Sequence, residues 1–129
     1  MCFSIASAKF STDLITVSYN FSDTSPEAVL SRMPHPERCV VRPGFFPSTA
    51  QGLEEERFLF VNLDADLYEP IRAGLEWFFP RMVSGGFILV HDYYSPAFTG
   101  ARQAVQEFAR SHKVGFLPVG DTLSVALRT

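Results

Sequence analysis

The sequence predicts an α/β protein, built on a mostly parallel sheet covered by helices on both faces, with an antiparallel hairpin at its carboxyl-terminal side. Three observations carry this. Apolar strand-like runs alternate with amphipathic helical runs through the middle of the chain, the order in which helical crossovers link parallel strands. The final segments, V-G-F-L-P-V from Val114 and L-S-V-A-L-R from Leu123, are short apolar runs joined by the turn G-D-T at Gly120. The chain has 129 residues and 47% hydrophobic content, enough for one core and short for two. A single domain over 1–129 is expected, with a divergent segment 1–18 ahead of 19–129.

Residues 1–20 are rich in Ser and Thr and hold two weakly alternating apolar pieces, 2–6 and 14–19, either of which reads as a strand. Ser25 then supplies an N-cap, Pro26 fits the first helical position and Glu27 adds an acid to the first turn, so a short helix is expected before a stop at Pro34. C-V-V-R from Cys39 reads as a brief buried strand ended by Pro43-Gly44, and 47–56 as a polar connection. Phe58 to Leu63 is a cleaner strand, apolar on both faces apart from Asn62.

From Pro70, a candidate for the first helical position, Ile71, Leu75, Phe78, Phe79 and Met82 recur at the spacing of one helix face. Pro80 disturbs the last turn. Ser84-Gly85-Gly86 is expected to break the chain, F-I-L-V from Phe87 to form a buried strand, and 100–110 to form a second amphipathic helix with Ala101, Ala104, Val105 and Phe108 on one side.

Charge and composition narrow the function. With a net charge of −3 and 11 Lys and Arg scattered along the chain, no basic field marks a nucleic-acid partner. No apolar run approaches the ~20 residues that span a bilayer, so no membrane partner is expected. Cys2 and Cys39 make no disulfide framework, and no basic segment opens the chain as in a signal peptide, so a reducing, cytoplasmic setting is expected. The absence of G-x-S-x-G, C-x-x-C, H-E-x-x-H and P-loop patterns argues against nucleophile-elbow, zinc and P-loop chemistry.

In parallel-sheet proteins ligands gather beyond the carboxyl ends of the strands. Asp64 and Asp66 follow the strand at Phe58, and His91 and Asp92 follow the strand at Phe87, so both clusters are expected at one crevice. Three carboxylates and an imidazole suit Mg²⁺ or Mn²⁺. The plainer alternative makes Asp64 and Asp66 polar turn residues, with Asp66 or Glu69 favouring the following helix through its dipole, and His91 a buried, hydrogen-bonded histidine. His35 and His112 lie in polar segments and read as solvated. Trp77, Tyr93 and Tyr94 read as packing residues, although tyrosines past a strand end could wall a cleft.

Six segments, in order, carry a resemblance: N-F-S-D-T-S from Asn20, R-P-G-F-F-P-S-T-A from Arg42, L-D-A-D-L-Y-E-P from Leu63, L-E-W-F-F-P-R-M from Leu75, S-G-G-F-I-L-V-H-D-Y from Ser84 and F-T-G-A-R-Q-A-V-Q-E-F from Phe98. Together they resemble the macrocin O-methyltransferase family over 19–129. The resemblance implies a Rossmann-like class I methyltransferase fold that uses S-adenosylmethionine and Mg²⁺ or Mn²⁺ to methylate a hydroxyl of a sugar or natural product. It implies Asp64, His91 and Asp92 as metal ligands, His91 standing where many members have an aspartate. Asp64 and Asp66 are the candidates for catalytic roles, and Gly44, Phe45 and Phe46 for an adenine-side wall.

Family members also begin with a strand, a glycine-rich turn and a second strand, for which this chain shows no counterpart, so a partial fold and a truncated form are expected. Their place lies between the strand at Cys39 and the strand at Phe58, which leaves sheet edges to be closed by each other, by the N-terminal segment or by another chain. Two alternatives to an active methyltransferase stand: a non-catalytic remnant serving as a binding or assembly module, pairing as a homo-oligomer through an exposed sheet edge, and a D-x-D transferase or phosphatase, which Leu67 and Tyr68 do not support.

Overall fold

The computed structural model describes residues 6–9, 12–13, 25–97 and 99–129. Among them the strands are β1 (Ala6–Lys9), β2 (Thr12–Asp13), β3 (Phe58–Leu63), β4 (Met82–Val90), β5 (Phe116–Pro118) and β6 (Val125–Arg128). The α-helices are α1 (Pro26–Leu30), α2 (Tyr68–Phe78) and α3 (Thr99–His112). One sheet collects the strands in the order β2-β1-β3-β4-β6-β5.

The pairing of β3 with β4 is the parallel one, joined by the crossover through α2. The other pairings are antiparallel, so the sheet is mixed rather than mostly parallel. The reason lies in the connections: only β3-α2-β4 has a helical crossover between neighbouring strands, and the hairpin and β1 both run back along their partners. The expected hairpin forms, its turn closed by Asp121, whose Oδ1 accepts from the Leu123 and Ser124 amides at 3.1 and 2.8 Å.

Alternation in the strands explains where the core sits. Val61 and Leu63 of β3, Ile88 and Val90 of β4, and Val125 and Leu127 of β6 point to one face and are buried. Against them pack Ile71, Leu75 and Phe78 of α2 and Ala101, Ala104, Val105 and Phe108 of α3, all buried in one cluster. Burying each of the larger side chains contributes about 1.5–3 kcal/mol. Small residues let α2 and α3 approach: a Cβ on Gly100 would meet the Tyr68 backbone nitrogen at 2.6 Å. Tyr68 Oη donates to Glu107 Oε2 across the same pair at 2.6 Å.

The opposite face of the sheet is open among the described residues, whereas helices were expected on both. Phe60 lies opposite Phe87 in the β3–β4 register and these are 40% and 43% exposed, while Leu117 on β5 is 70% exposed. Both long helices lie on the other face, because α2 and α3 share one core cluster with the inward-facing strand residues.

Several elements depart from expectation. C-V-V-R from Cys39 forms no strand, and Val40 and Val41 are exposed. A strand needs a neighbour, and the flank of β3 belongs to β1, with Ala6 opposite Asn62 and Ala8 opposite Phe60. The N-terminal segment thus closes the gap beside β3. The piece at 14–19 lies outside the described residues, as does all of 2–6 except Ala6.

Ser84-Gly85-Gly86 stays inside β4 rather than breaking it, because the register shift between β3 and β4 absorbs the extra residues. Gly85 takes φ +82° there, and a Cβ on Gly86 would meet the Leu59 carbonyl oxygen at 2.8 Å. Met82 therefore begins β4 instead of ending α2. Pro80 closes α2 through a 3-10 turn at Phe79–Arg81, as its missing N–H requires. Pro70 stands third in α2 rather than first. The short helix α1 matches its signals, Ser25 Oγ accepting from the Ala28 amide at 3.1 Å.

Candidate functional site

Because β3 and β4 are parallel with Leu63 opposite Val90, the residues after them leave the sheet at the same end. The His91 amide donates to the Leu63 carbonyl at 2.9 Å, carrying the ladder one step past both strands. Asp64, His91 and Asp92 thereby converge, each offering a ligand atom within 4.8 Å of the others. His91 Nδ1 lies 3.4 Å from Asp64 Oδ1 and 3.0 Å from Asp92 Oδ2. It is buried, yet neither approach has the alignment of a hydrogen bond. A ring nitrogen without a hydrogen bond, held between two carboxylates, suits a divalent cation accepted by all three side chains.

Asp66 and Asp92 both sit in the left-handed region, at φ +56° and +61°. Aspartate tolerates that conformation better than most residues, and here it turns each side chain back toward the sheet end. The Leu67 amide donates to the Ala65 carbonyl at 2.5 Å, tightening the chain around Asp66.

The site is electrostatically crowded. Burial pushes the Asp64 carboxyl above the ordinary range, with Asp92 adding to the rise and His91 opposing it. Asp66 is pushed up to about 6, first by burial and then by hydrogen bonding and charge from Asp92 and charge from Asp64. Burial disfavours the His91 imidazolium, but the contact with Asp92 and the charge of Asp64 outweigh it and raise the His91 pKa.

The turn bearing His91 and Asp92 is tied down from three directions. The Ser95 amide donates to the Asp92 carbonyl at 3.1 Å, and the Tyr94 amide donates to Leu123 in the hairpin at 3.1 Å. From α3, Arg102 Nε donates to the Tyr93 carbonyl at 3.1 Å and Gln106 Nε2 to the Tyr93 hydroxyl at 3.2 Å. The buried Tyr93 ring packs on Tyr94 and Phe116, with centroids 4.8 and 5.3 Å away. Tyr94 is half-exposed beside it. Arg102 was not among the residues singled out by pattern. Its sequence signal is an arginine in the first turn of a helix, where the dipole disfavours a cation.

Gly44 and Phe45 lie elsewhere, lining an open groove of about 460 Å³ with Arg42, Pro43, Ser48, Thr49, Gln51 and Gly52. Arg42 shapes this loop by donating to the Thr49 and Gln51 carbonyls at 3.2 and 2.7 Å. Phe46 points away into the core, stacked on Phe78 with centroids 5.7 Å apart and edge-on to Trp77 at 6.1 Å. Trp77 is a packing residue, as expected. His35 is exposed beside Glu37. His112 is less solvated than expected, because its ring stacks on Phe108 at 4.0 Å and lies 3.5 Å from Glu76.

Among the described residues no helix is long and apolar enough to cross a membrane. Comparison with known proteins adds the lineage. The Macrocin-O-methyltransferase (TylF) family model matches residues 35–125. An 8-demethyl-8-(2,3-dimethoxy-alpha-L-rhamnosyl)-tetracenomycin-C 4'-O-methyltransferase of Streptomyces olivaceus is 38% identical over 66 residues, 51% of this chain and 24% of that protein. A Mycinamicin III 3''-O-methyltransferase of Micromonospora griseorubida is 33% identical over 72 residues, 56% of this chain and 27% of that protein. The match thus spans about a quarter of the length of these curated relatives.

Among solved structures, the O-methyltransferase NovP superposes with a TM-score of 0.68 at 21% identity, over 81% of this chain and 44% of that one. The O-methyltransferase from Bacillus cereus, solved in complex with SAH, superposes with a TM-score of 0.62 at 20% identity, over 83% and 60%. At such identities these two show a common fold, a partial Rossmann-like one. The family match runs through both acid-bearing strand ends and the whole of α3, and the chain belongs to the macrocin O-methyltransferase (TylF) family.

Proposed function

We propose that this chain carries the metal and acceptor half of an S-adenosylmethionine-dependent, divalent-metal-dependent O-methyltransferase acting on a hydroxyl of a sugar or related natural product. The observation that carries the reading is the convergence of Asp64, His91 and Asp92 around a buried ring nitrogen that lacks a hydrogen bond. Asp64 and Asp92 would hold Mg²⁺ or Mn²⁺ through carboxylate oxygens and His91 through Nδ1. When bound, the cation supplies a Lewis acid that lowers the acceptor hydroxyl's pKa, and S-adenosylmethionine supplies the methyl group.

The chain's own residues then have distinct tasks. Asp64 and Asp92 orient the acceptor oxygen by fixing where its partner ion sits, and orientation is worth much of the rate in a two-substrate transfer. Asp66, beside Asp64 and Asp92, is the carboxylate that would accept the hydroxyl proton as general base. Gly44 and Phe45 would wall the adenine side, with Phe46 bracing them from the core.

Titration calorimetry with S-adenosylmethionine, with and without Mg²⁺, tests this. Micromolar binding that tightens with Mg²⁺ in the wild type, and loses its Mg²⁺ dependence in Asp92→Asn, is the expected result. A second reading, an assembly module pairing with another copy of the chain, draws on the open face bearing Phe60, Phe87 and Leu117. No cofactor binding together with a dimer by light scattering would favour that second reading over the first.

A further inference from the structure

We infer that Arg102 is a positioning residue for the metal site: its guanidinium, reaching from α3, holds the turn after β4 in the conformation that aims Asp92 at Asp64 and His91. This rests on the metal-binding reading above. Asp92 lies at φ +61°, a conformation that costs even an aspartate some free energy and is helped by contacts that hold the residues around it. Tyr93 follows it directly, and the Tyr93 carbonyl, on the peptide joining Tyr93 to Tyr94, accepts from Arg102 Nε at 3.1 Å.

Arg102 also lies over the Tyr93 ring, 5.7 Å from its centroid, so one side chain grips the residue next to Asp92 by backbone and by ring. One turn further along α3, Gln106 fixes the ring's hydroxyl, and Phe116 backs the ring from the hairpin. A free Tyr93 could swing out of its seat on α3 and carry the turn, with Asp92, away from Asp64. The Ser95 amide bond to the Asp92 carbonyl closes the turn on itself, the His91 and Tyr94 amides join its flanks to β3 and to Leu123, and Arg102 adds a side-chain tie from Tyr93 to a helix packed on the same core. The cost of a cation in the first turn of α3 is thereby given a use.

The test compares Mn²⁺ affinity, read by electron paramagnetic resonance of the free ion, in wild type, Arg102→Met and Arg102→Lys, with the melting temperature of each metal-free chain. Arg102→Met keeps the stem and removes the donor. It is expected to weaken Mn²⁺ binding about tenfold, the usual effect of losing a partner behind a ligand, with Arg102→Lys recovering most of the loss. Equal Mn²⁺ affinity in wild type and Arg102→Met overturns the inference and leaves the metal site standing. So does a loss that Lys fails to restore while lowering the melting temperature as much as Met does, since that marks a purely structural role. A wild-type chain that binds no Mn²⁺ overturns the metal reading itself, and this inference with it.

Discussion

Asp66 stands between two other acids with its backbone in the left-handed region, and its proton is held more tightly than that of a free aspartate. The unfolded chain releases that proton near the ordinary value of 3.8, while the folded chain keeps it up to about 6. Folding therefore takes up a proton in this window, and the contribution of Asp66 to stability falls as the pH rises through it. In metal-free buffer the melting temperature of the wild type is expected to drop, relative to Asp66→Asn, as the pH is raised across the window. Parallel curves for the two proteins would show that Asp66 titrates normally. At this scale the sequence was informative where chemistry follows directly from a strand end: Asp64, His91 and Asp92 could be placed because each comes just after an apolar run. The left-handed turn at Asp66 and the reach of Arg102 to Tyr93 were not legible, since the first is a backbone angle that composition does not specify and the second depends on how α3 packs against the turn after β4.

α2 and α3 show how much periodicity can specify and where it stops. α2 buries Ile71, Leu75 and Phe78 of the apolar spacing, while Phe79 and Met82 fall beyond its end, and α3 buries the same Ala101, Ala104, Val105 and Phe108 that the pattern picks out. The distance between the helices is a different matter, set by Gly100 against the backbone of Tyr68. Gly100→Ala is expected to destabilise the chain by about 1–3 kcal/mol, measured by urea unfolding, because a methyl group there pushes against backbone that cannot rotate away. An unchanged midpoint would mean that the two helix starts shift freely. The strand expected at Cys39 failed for a related reason. Strand formation is a property of pairs, and Val40 and Val41 have apolar character without an edge to lie along. Likewise Ser84-Gly85-Gly86 has the composition of a break, but its geometry is decided by the bulge against β3.

Among the described residues the sheet is lopsided, with a packed face under α2 and α3 and an open face bearing Phe60, Phe87 and Leu117. Local patterns could not reveal this, because an apolar residue on a strand reads the same whether a helix covers it or not. Phe87→Thr replaces an aromatic with a β-branched residue that strands also favour and is expected to cost about 1 kcal/mol or less, while lowering the fluorescence of a bound hydrophobic dye. A large loss of stability instead would show that the face is covered in solution. The two ends of β4 also divide the labour of the sheet. Its far end leads into His91 and Asp92, whereas its near end is stitched to Thr129, whose amide donates to the Gly86 carbonyl at 3.1 Å and whose carbonyl accepts from Gly85 at 2.8 Å. Anything joined to Thr129, such as a purification tag or a linker to a sensor chip, is therefore anchored away from the acids, and an immobilised chain would present the end of the sheet bearing Asp64, His91 and Asp92 to the flowing solution.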